Sequence, residues 1–242
     1  MNWHSRYSQQ ATWTRDLRAY IFQKIGLHGS QRVLEVGCGT GAILSELPER
    51  LNRYGLDIDP AALTQCHVNV PGALLAQGNA LTLPYADKSF DIVYCHFLLL
   101  WVNDPLQALL EMKRVARSGG YVIAFAEPDY ASRVDEPREL IVLGNWQTDA
   151  LARQGADPSL GARLAELFSR AQIPIVETGT IQSRRNEPST DEWELEWEVI
   201  ESDLAGSHLD ADIQEMKRLD RQARERGLRR LHVPTHFVWG RA

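Results

Sequence analysis

A glycine-rich segment with an acidic residue in front of it is the part of the sequence best suited to chemistry. It runs from Glu35 to Gly41 and reads Glu-Val-Gly-Cys-Gly-Thr-Gly. Glycine lets the backbone turn tightly and approach a bound molecule without interference from a Cβ atom. A helix predicted over residues 41–47 would add free N–H groups and the positive end of its dipole. The segment therefore predicts a ligand site where a strand ends and a helix begins.

The glycine spacing alone is compatible with more than one class of ligand, and the acidic residue Glu35 reduces the number of classes that fit. The pattern Gly37-x-Gly39-x-x-Ala42 also satisfies the dinucleotide fingerprint, and Asp57 lies about where a ribose-binding acid is expected. An ionised Glu35 at the end of a buried strand needs a partner. It would repel a pyrophosphate but suit a cationic ligand such as a sulfonium amino acid. The alternative is that Glu35 only accepts hydrogen bonds from nearby backbone N–H groups.

Strands and helices alternate on both sides of this segment. Short apolar runs predict strands at residues 32–36, 54–58, 73–76, 90–95 and 121–126, and later at 173–181 and 235–239. Helical spacing and N-capping Asp-Pro pairs predict helices at 12–27, 41–47, from 60 onward, at 105–117, 137–155 and 159–171, and across most of 187–230. This order is typical of a mostly parallel, doubly wound sheet. Such sheets bind ligands beyond the carboxyl ends of their strands, so we expect the site there.

The bulk composition is that of an ordinary globular protein. The chain has 242 residues, of which 44% are hydrophobic and 24% charged, which suits one α/β domain. A net charge of −6 argues against a protein built mainly to bind nucleic acid. The three cysteines lack metal-ligand spacing and predict reduced thiols. The polar start and the shortness of the longest apolar run, residues 97–102, predict a cytoplasmic protein without a membrane segment.

Several ordered blocks resemble a known family. The segment from Val33 to Gly41 resembles motif I of the class I S-adenosylmethionine (SAM)-dependent methyltransferases, and the likeness extends over roughly residues 30–128. The further blocks that carry it are residues 55–60, 78–85, 89–93, 101–105 and 114–120. The pattern is similar to the small-molecule "type 11" branch, which includes the quinone-biosynthesis methyltransferases.

The resemblance implies a fold and a division of the chain. We expect one domain over residues 1–242 with a Rossmann-like, doubly wound, mostly parallel seven-stranded sheet. Residues 1–28 would form an N-terminal helical cap and residues 29–130 the cofactor-binding core. Residues 131–242 would supply the acceptor-side helices, as a lid inserted late in the chain, and the last two strands.

The resemblance also implies SAM as cofactor, S-adenosylhomocysteine as product and no metal. Asp57 is expected to accept hydrogen bonds from the ribose hydroxyls. Asn79 stands where the family often has Asp, and its carbonyl oxygen can still accept from the adenine amino group. The residues expected to contact the cofactor are Glu35, Gly37, Cys38, Gly39, Gly41, Asp57, Ile58, Asn79, Ala80, Cys95, Tyr7 and Trp13. Arg6 is an alternative to Tyr7 as partner of the methionine carboxylate.

His96 is the candidate catalytic residue. It directly follows the fourth strand, where the family places its methyl-proximal loop, and an imidazole near neutral pKa could take a proton from the acceptor. The alternatives are a positioning or a packing role. Glu127 and Asp129 follow the fifth strand and either contact the acceptor or cap the loop.

The late helices offer two further features. Trp146, Trp193 and Trp197 either wall an acceptor pocket or belong to a core or an interface. The arginine-rich stretch 217–230 either pairs with the acidic segment before it or binds RNA.

The leading hypothesis is an enzyme that transfers a methyl group by in-line displacement to an O, N or C atom of a small molecule. The alternatives are an RNA or protein methyltransferase and a SAM-binding module without turnover; an NAD-linked oxidoreductase fits Glu35 poorly. The sequence itself defines neither the acceptor nor the oligomeric state.

Overall fold

A computed structural model describes residues 3–181, 189–207 and 210–242. The parts of the predicted late helical region at 187–188 and 208–209 lie outside these described residues. The helices are α1 (Trp3–Trp13), α2 (Arg15–Ile25), α3 (Pro60–Asn69), α4 (Pro105–Val115), α5 (Ile141–Arg153), α6 (Leu160–Arg170), α7 (Thr190–Leu204) and α8 (Asp210–Glu225). The strands are β1 (Arg32–Val36), β2 (Asn52–Asp57), β3 (Leu74–Gln77), β4 (Phe90–Cys95), β5 (Ala116–Pro128), β6 (Val134–Glu136), β7 (Ile175–Ile181), β8 (Arg230–His232) and β9 (Thr235–Arg241).

Seven of these strands form one sheet in the order β3-β2-β1-β4-β5-β9-β7. The first five in that order are parallel to their neighbours, while β9 is antiparallel to both β5 and β7. The predicted mostly parallel, seven-stranded, Rossmann-like sheet is thus confirmed. A separate two-stranded sheet of β6 and β8 was not predicted, because three-residue strands carry too little periodicity to be recognised.

Helices cover both faces of the sheet. One core packs α4 and α6 against alternate strand residues such as Leu34 and Val93. The other core packs α2 and α3 against the residues in between, including Val33 and Tyr94. This alternation follows from the two-residue period of a strand, and it decides which side chains can reach the ligand edge.

Two predicted helices differ in the structure. Residues 12–27 do not form one helix, because a turn at Thr14 separates α1 from α2. The helix predicted over 41–47 is only a 3-10 turn, Leu44–Glu46. Gly41 has a left-handed φ of 82° and Pro48 follows closely, so too few residues remain for an α-helix. The expected helix dipole behind the glycine segment is therefore absent from this part of the described structure.

The late helices have a core of their own. Leu140 and Leu143 pack with Trp193 and Trp197 of α7 and with residues of α8. At its centre lies Asp220, which is 2% exposed. Its carboxylate accepts hydrogen bonds from the indole N–H of both tryptophans and pairs with two arginines.

We expect Asp220→Ala to lower the free energy of unfolding by about 3–5 kcal/mol, because it leaves buried donors and arginine charges without their shared acceptor. Chemical denaturation followed by tryptophan fluorescence measures this loss. Glu225→Ala, an exposed site on the same helix, should stay within about 0.5 kcal/mol of the native protein. Equal stabilities of the two variants would contradict the central role of Asp220.

Candidate active site

A cavity of about 440 Å³ opens at the carboxyl edge of the sheet, a size within the usual range of small-molecule sites. The cap, the ends of four strands and two late helices contribute to its wall. The residues that line it are Arg6, Tyr7, Gln10, Glu35, Gly37, Cys38, Gly39, Ala42, Ile43, Asp57, His96, Phe97, Leu98, Leu100, Trp101, Pro128, Tyr130, Gln147, Leu151, Gln154, Val199 and Asp203. The structure therefore brings the glycine segment, Asp57 and His96 together, as expected from a site at this edge.

The glycine segment is held against the end of β2. The N–H groups of Gly37 and Cys38 donate to the carbonyl of Leu56 over 2.7 and 3.0 Å. The N–H of Gly39 donates to the Asp57 carboxylate over 2.7 Å. Because Asp57 also accepts from the N–H of Asp59, it fixes the loop while its carboxylate still faces the cavity.

Gly39 and Gly41 of the glycine segment contact different parts of the protein. Gly39 has a φ of 50°, and a Cβ there would lie 3.4 Å from the ring of Tyr7, so the ring rests directly on the loop. A Cβ at Gly41 would instead lie 2.7 Å from Val70 and 2.8 Å from the sulfur of Cys66. Gly41, a predicted cofactor contact, thus faces α3 and is absent from the cavity lining.

Glu35 reaches the cavity from the floor of the sheet and is 2% exposed. Its register partner on β4 is Tyr94, whose hydroxyl donates to the Glu35 carboxylate over 3.1 Å. Burial raises the pKa of the Glu35 carboxyl well above its usual value, although the Tyr94 hydrogen bond and the charge of Arg18 oppose the rise. A cation in the cavity would favour the ionised carboxylate.

The cap is fastened to the glycine segment from above. Tyr7 lines the cavity, and His4 hydrogen-bonds the hydroxyl of Thr40 through Nδ1 at 2.9 Å. Trp13 does not line the cavity; the guanidinium of Arg6 lies over its ring, 5.2 Å from the centroid. The contribution of Trp13 is therefore to support Arg6, which does face the cavity.

Arg18 is a component of the site that sequence reasoning missed. Its side chain is 1% exposed and donates to both carboxylate oxygens of Glu46 at 2.6–2.9 Å. It also donates to the hydroxyl of Thr14. The only sequence signal was an arginine on the apolar side of a helix, beside Ile21 and Ile25.

His96 lines the cavity but differs chemically from the expected base. Its Nε2 atom lies 2.7 Å from the hydroxyl of Thr14. Burial, together with the charge of Arg18, lowers the pKa of His96 to about 3. This value lies below the near-neutral pKa expected from the sequence, because burial beside a fixed positive charge disfavours the protonated ring. Next to it, Phe97 has a left-handed φ of 51°.

Glu127 and Asp129 are capping residues. The Glu127 carboxylate is fully buried and accepts from the N–H groups of Leu98, Leu99 and Leu100 at 2.9–3.1 Å. Asp129 accepts from the N–H of Ser132. Neither side chain lines the cavity. Burial raises the pKa of Glu127 to about 7, although the three backbone hydrogen bonds oppose it.

Four further predicted cofactor contacts lie outside the cavity lining. Cys95 is fully buried in the core on the opposite face from Tyr94, as strand alternation requires. Ala80 packs against the same core. The Asn79 carbonyl oxygen, expected for adenine, accepts from the N–H of Leu81 at 2.9 Å. Ile58 directly follows Asp57 and is 67% exposed.

The three tryptophans proposed for the acceptor wall do not line the cavity. Trp193 and Trp197 turn into the core of the late helices, where Asp220 accepts from both indoles. Their helices contribute other residues to the wall, among them Leu151 and Val199. The tryptophan that does line the cavity is Trp101, which is 43% exposed.

Most cations of α8 and of the segment after it are paired with acids. Lys217 contacts Glu194 and Glu201, and Arg224 contacts Glu196. This confirms the pairing alternative for the stretch 217–230.

Within the described ranges, no group of three or more His, Cys, Asp or Glu is placed to hold a metal ion. None of the described helices combines the length and apolarity needed to cross a membrane.

Comparison with known proteins assigns the chain to a family. A family model described as a methyltransferase domain matches residues 34–124. The chain is 36% identical over 142 residues to a phosphatidylethanolamine N-methyltransferase of Cereibacter sphaeroides, covering 53% of this chain and 70% of the relative. It is 35% identical over 120 residues to a demethylmenaquinone methyltransferase of Renibacterium salmoninarum, covering 48% and 51%. The chain therefore belongs to the class I SAM-dependent methyltransferases.

The solved structures agree on the fold. A proposed methyltransferase from an antibiotic biosynthesis pathway of Anabaena variabilis superimposes with a TM-score of 0.68 at 17% identity, covering 95% of this chain and 98% of the other. By contrast, the chain spans only about half the length of several curated relatives that it matches, with 51%, 44% and 52% covered.

The raised pKa of Glu127 makes stability depend on pH. In the unfolded chain a Glu titrates near its ordinary value of about 4.3. At pH values between that ordinary pKa and the raised pKa of about 7, Glu127 is therefore protonated in the folded state and ionised in the unfolded chain. The free energy of unfolding falls as pH rises through this range. We expect wild type to lose about 3 kcal/mol relative to Glu127→Gln between pH 5 and pH 8. Urea denaturation at both pH values measures the difference, and parallel pH profiles would exclude the raised pKa.

Proposed function

We propose that this protein is a SAM-dependent methyltransferase that methylates an O, N or C atom of a small molecule. The observation that carries the proposal is one cavity that joins the glycine segment and two carboxylates to a second half built by the late helices. One half suits a cationic nucleoside and the other suits its methyl acceptor. The proposal also keeps residues 1–242 as one functional unit of cap, core and acceptor side.

The residues present fit SAM. Glu35 would face its cationic methionine part, and Asp57 would accept from the ribose hydroxyls with the lone pairs that Gly39 and Asp59 leave free. Tyr7 and Arg6 would close the cavity over the methionine part from the cap. The exposed side chain of Ile58 suits an apolar adenine face at the rim.

Bound SAM supplies a methyl group already activated by the sulfonium, so the protein mainly has to align the acceptor and exclude water. Leu98, Leu100, Trp101, Leu151 and Val199 provide an apolar wall for that purpose. With a pKa of about 3, His96 is neutral at physiological pH and a weak base. We therefore favour alignment over general-base catalysis.

The activities for which the relatives are named guide the choice of acceptors to test. They include methyltransferases of demethylmenaquinone and of phosphatidylethanolamine, so a panel should contain quinols, phenols and amines, each with and without an apolar tail. Release of S-adenosylhomocysteine in the presence of one acceptor supports turnover. SAM binding without release across the panel favours a module without turnover. The paired cations of α8 weigh against an RNA substrate.

We expect calorimetry to detect binding of SAM and S-adenosylhomocysteine but not of NAD. Asp57→Asn should weaken SAM binding roughly ten- to a hundred-fold, because hydrogen bonds to a charged acceptor contribute about 1.5–3 kcal/mol. Asp59→Asn is the matched control, since its side chain only caps α3 and Asn caps as well. Equal affinities of the two variants would remove Asp57 from the cofactor site.

A second expectation concerns proton release. The raised pKa leaves Glu35 protonated over a wider pH range in the free protein, and a bound cation lowers that pKa. SAM binding should therefore release a proton, and affinity should rise with pH through the raised pKa of the free protein. Calorimetry in phosphate and in Tris measures the release as a difference in binding heat. Glu35→Gln should abolish the difference; identical heats for wild type in both buffers would contradict this role.

A further inference from the structure

Two cavity residues of the acceptor half are each held by a hydrogen bond to one polar end of the side chain, and the other polar end makes no hydrogen bond to the described residues. They are His96, after β4, and Gln147, on α5. Each is fixed by a residue outside the cavity lining, Thr14 for His96 and Arg133 for Gln147. The chemistry of these outer partners decides which atom each inner side chain can present.

Gln147 is the simpler case. Its Oε1 atom lies 2.5 Å from Nη1 of Arg133. A guanidinium can only donate, so the atom that faces it must be the amide oxygen. Arg133 is itself 6% exposed and pairs with Asp135, which also pairs with Arg229. The amide is therefore held in one orientation, and its NH₂ group is the end left for the cavity.

For His96, the outer partner Thr14 determines in the same way which ring nitrogen accepts a hydrogen bond. Arg18 donates to the Thr14 hydroxyl oxygen, so the single hydroxyl proton is the donor that remains. It has two possible acceptors, Nε2 of His96 at 2.7 Å and the carbonyl of Ala11 at 3.4 Å. The shorter contact has the usual length of a hydroxyl donor. The neighbouring positive charge of Arg18 also favours an acceptor nitrogen over an N–H at this position.

If Nε2 accepts, the proton of the neutral ring sits on Nδ1. His96 is then a hydrogen-bond donor toward its remaining side and cannot also be the base that receives a proton there. The low pKa of His96, caused by burial and by Arg18, keeps the ring neutral at physiological pH, so one ring nitrogen remains an acceptor.

We propose that the acceptor half recognises an oxygen of the methyl acceptor, a carbonyl or a deprotonated hydroxyl, through the fixed N–H donors of His96 and Gln147. This rests on the proposed function and specifies its substrate class. An oxygen in such a place accepts hydrogen bonds from these donors, whereas an ammonium group would repel them. Thr14 and Arg133 are positioning residues in this arrangement.

The same cavity also contains a carboxylate that could bind an amine acceptor, and amine binding is therefore the alternative outcome of the test. Asp203 of α7 lines the cavity and accepts from the Nε2 of Gln154 at 3.0 Å. An amine acceptor would use this carboxylate. Burial raises the pKa of Asp203, although the Gln154 hydrogen bond and the charge of Arg6 oppose the rise, and these two groups already match part of its charge within the protein.

The first test needs no acceptor. Long-range ¹H–¹⁵N correlation spectra of the free protein at pH 7 report the histidine tautomer, and the signal missing in His96→Gln assigns the ring. We expect the Nδ1–H tautomer in wild type and in Thr14→Ser, and a shift toward a tautomer mixture in Thr14→Val. An Nε2–H tautomer in wild type, or a Thr14→Val spectrum identical to wild type, overturns the role assigned to Thr14 and His96.

The second test compares two probes of similar body and opposite polarity, 4-nitrophenolate and 4-nitrobenzylamine, in protein saturated with S-adenosylhomocysteine. We expect the phenolate to bind more tightly, and Gln147→Met to weaken it by about tenfold or more through loss of a hydrogen bond to a charged acceptor. Gln65→Met, at an exposed site on α3, is the matched control and should change nothing.

Tighter binding of the amine, no phenolate binding at millimolar concentration, or an unchanged affinity in Gln147→Met overturns the proposal. A failure of the proposed function would give a different experimental result from a failure of this proposal. In that case S-adenosylhomocysteine itself does not bind, and the tautomer spectra of the free protein still test how His96 is held.

Discussion

The buried guanidinium of Arg18 is the constraint on which the site depends. The glycine segment leads into only one 3-10 turn, so it lacks the α-helix that could anchor it. Arg18 takes over that task by holding Glu46 of this turn and, at the same time, Thr14 between the first two helices. A charge that is 1% exposed is costly unless it is fully paired. The cap, the loop and the ring of His96 therefore keep one relative arrangement.

The same charge organises the electrostatics of the cavity floor. Burial lowers the pKa of His96, and the charge of Arg18 adds to that effect; the same charge opposes the rise that burial causes in the pKa of Glu35. A neutral imidazole and a carboxyl of variable charge thus face the same space from neighbouring strands. This combination suits alignment of a reactive cation better than proton transfer to a histidine.

Local pattern was enough to predict much of this architecture. The strands of the sheet and the ligand edge followed from short apolar runs that alternate with helices, and Glu35 and Asp57 stood out as acids at strand ends. Side chains alternate between the two faces along a strand, and the prediction for Cys95 did not use this. Tyr94 lies on the same face as Glu35, so the next residue, Cys95, must enter the opposite core. Gly41 faces α3 and lies outside the cavity lining; a glycine serves equally for a ligand or for a close helix.

The remainder depended on contacts between distant parts of the chain. Thr14 and His96 are 82 residues apart, and Trp193 meets Asp220 across 27 residues. No periodicity records such pairs, so the tryptophans could be assigned to a pocket as easily as to a core. The His96 pKa was misjudged for the same reason, since burial and the charge of Arg18 are properties of the folded chain.

The separate core of the late helices has an evolutionary consequence. Trp193, Trp197 and Asp220 stabilise that unit through a cluster distinct from the two cores of the sheet. Substitutions on its cavity side can therefore accumulate while the nucleoside half stays intact. The family model ends at residue 124, before this unit begins, so the segment that it describes contains the glycine-segment half and leaves this unit out.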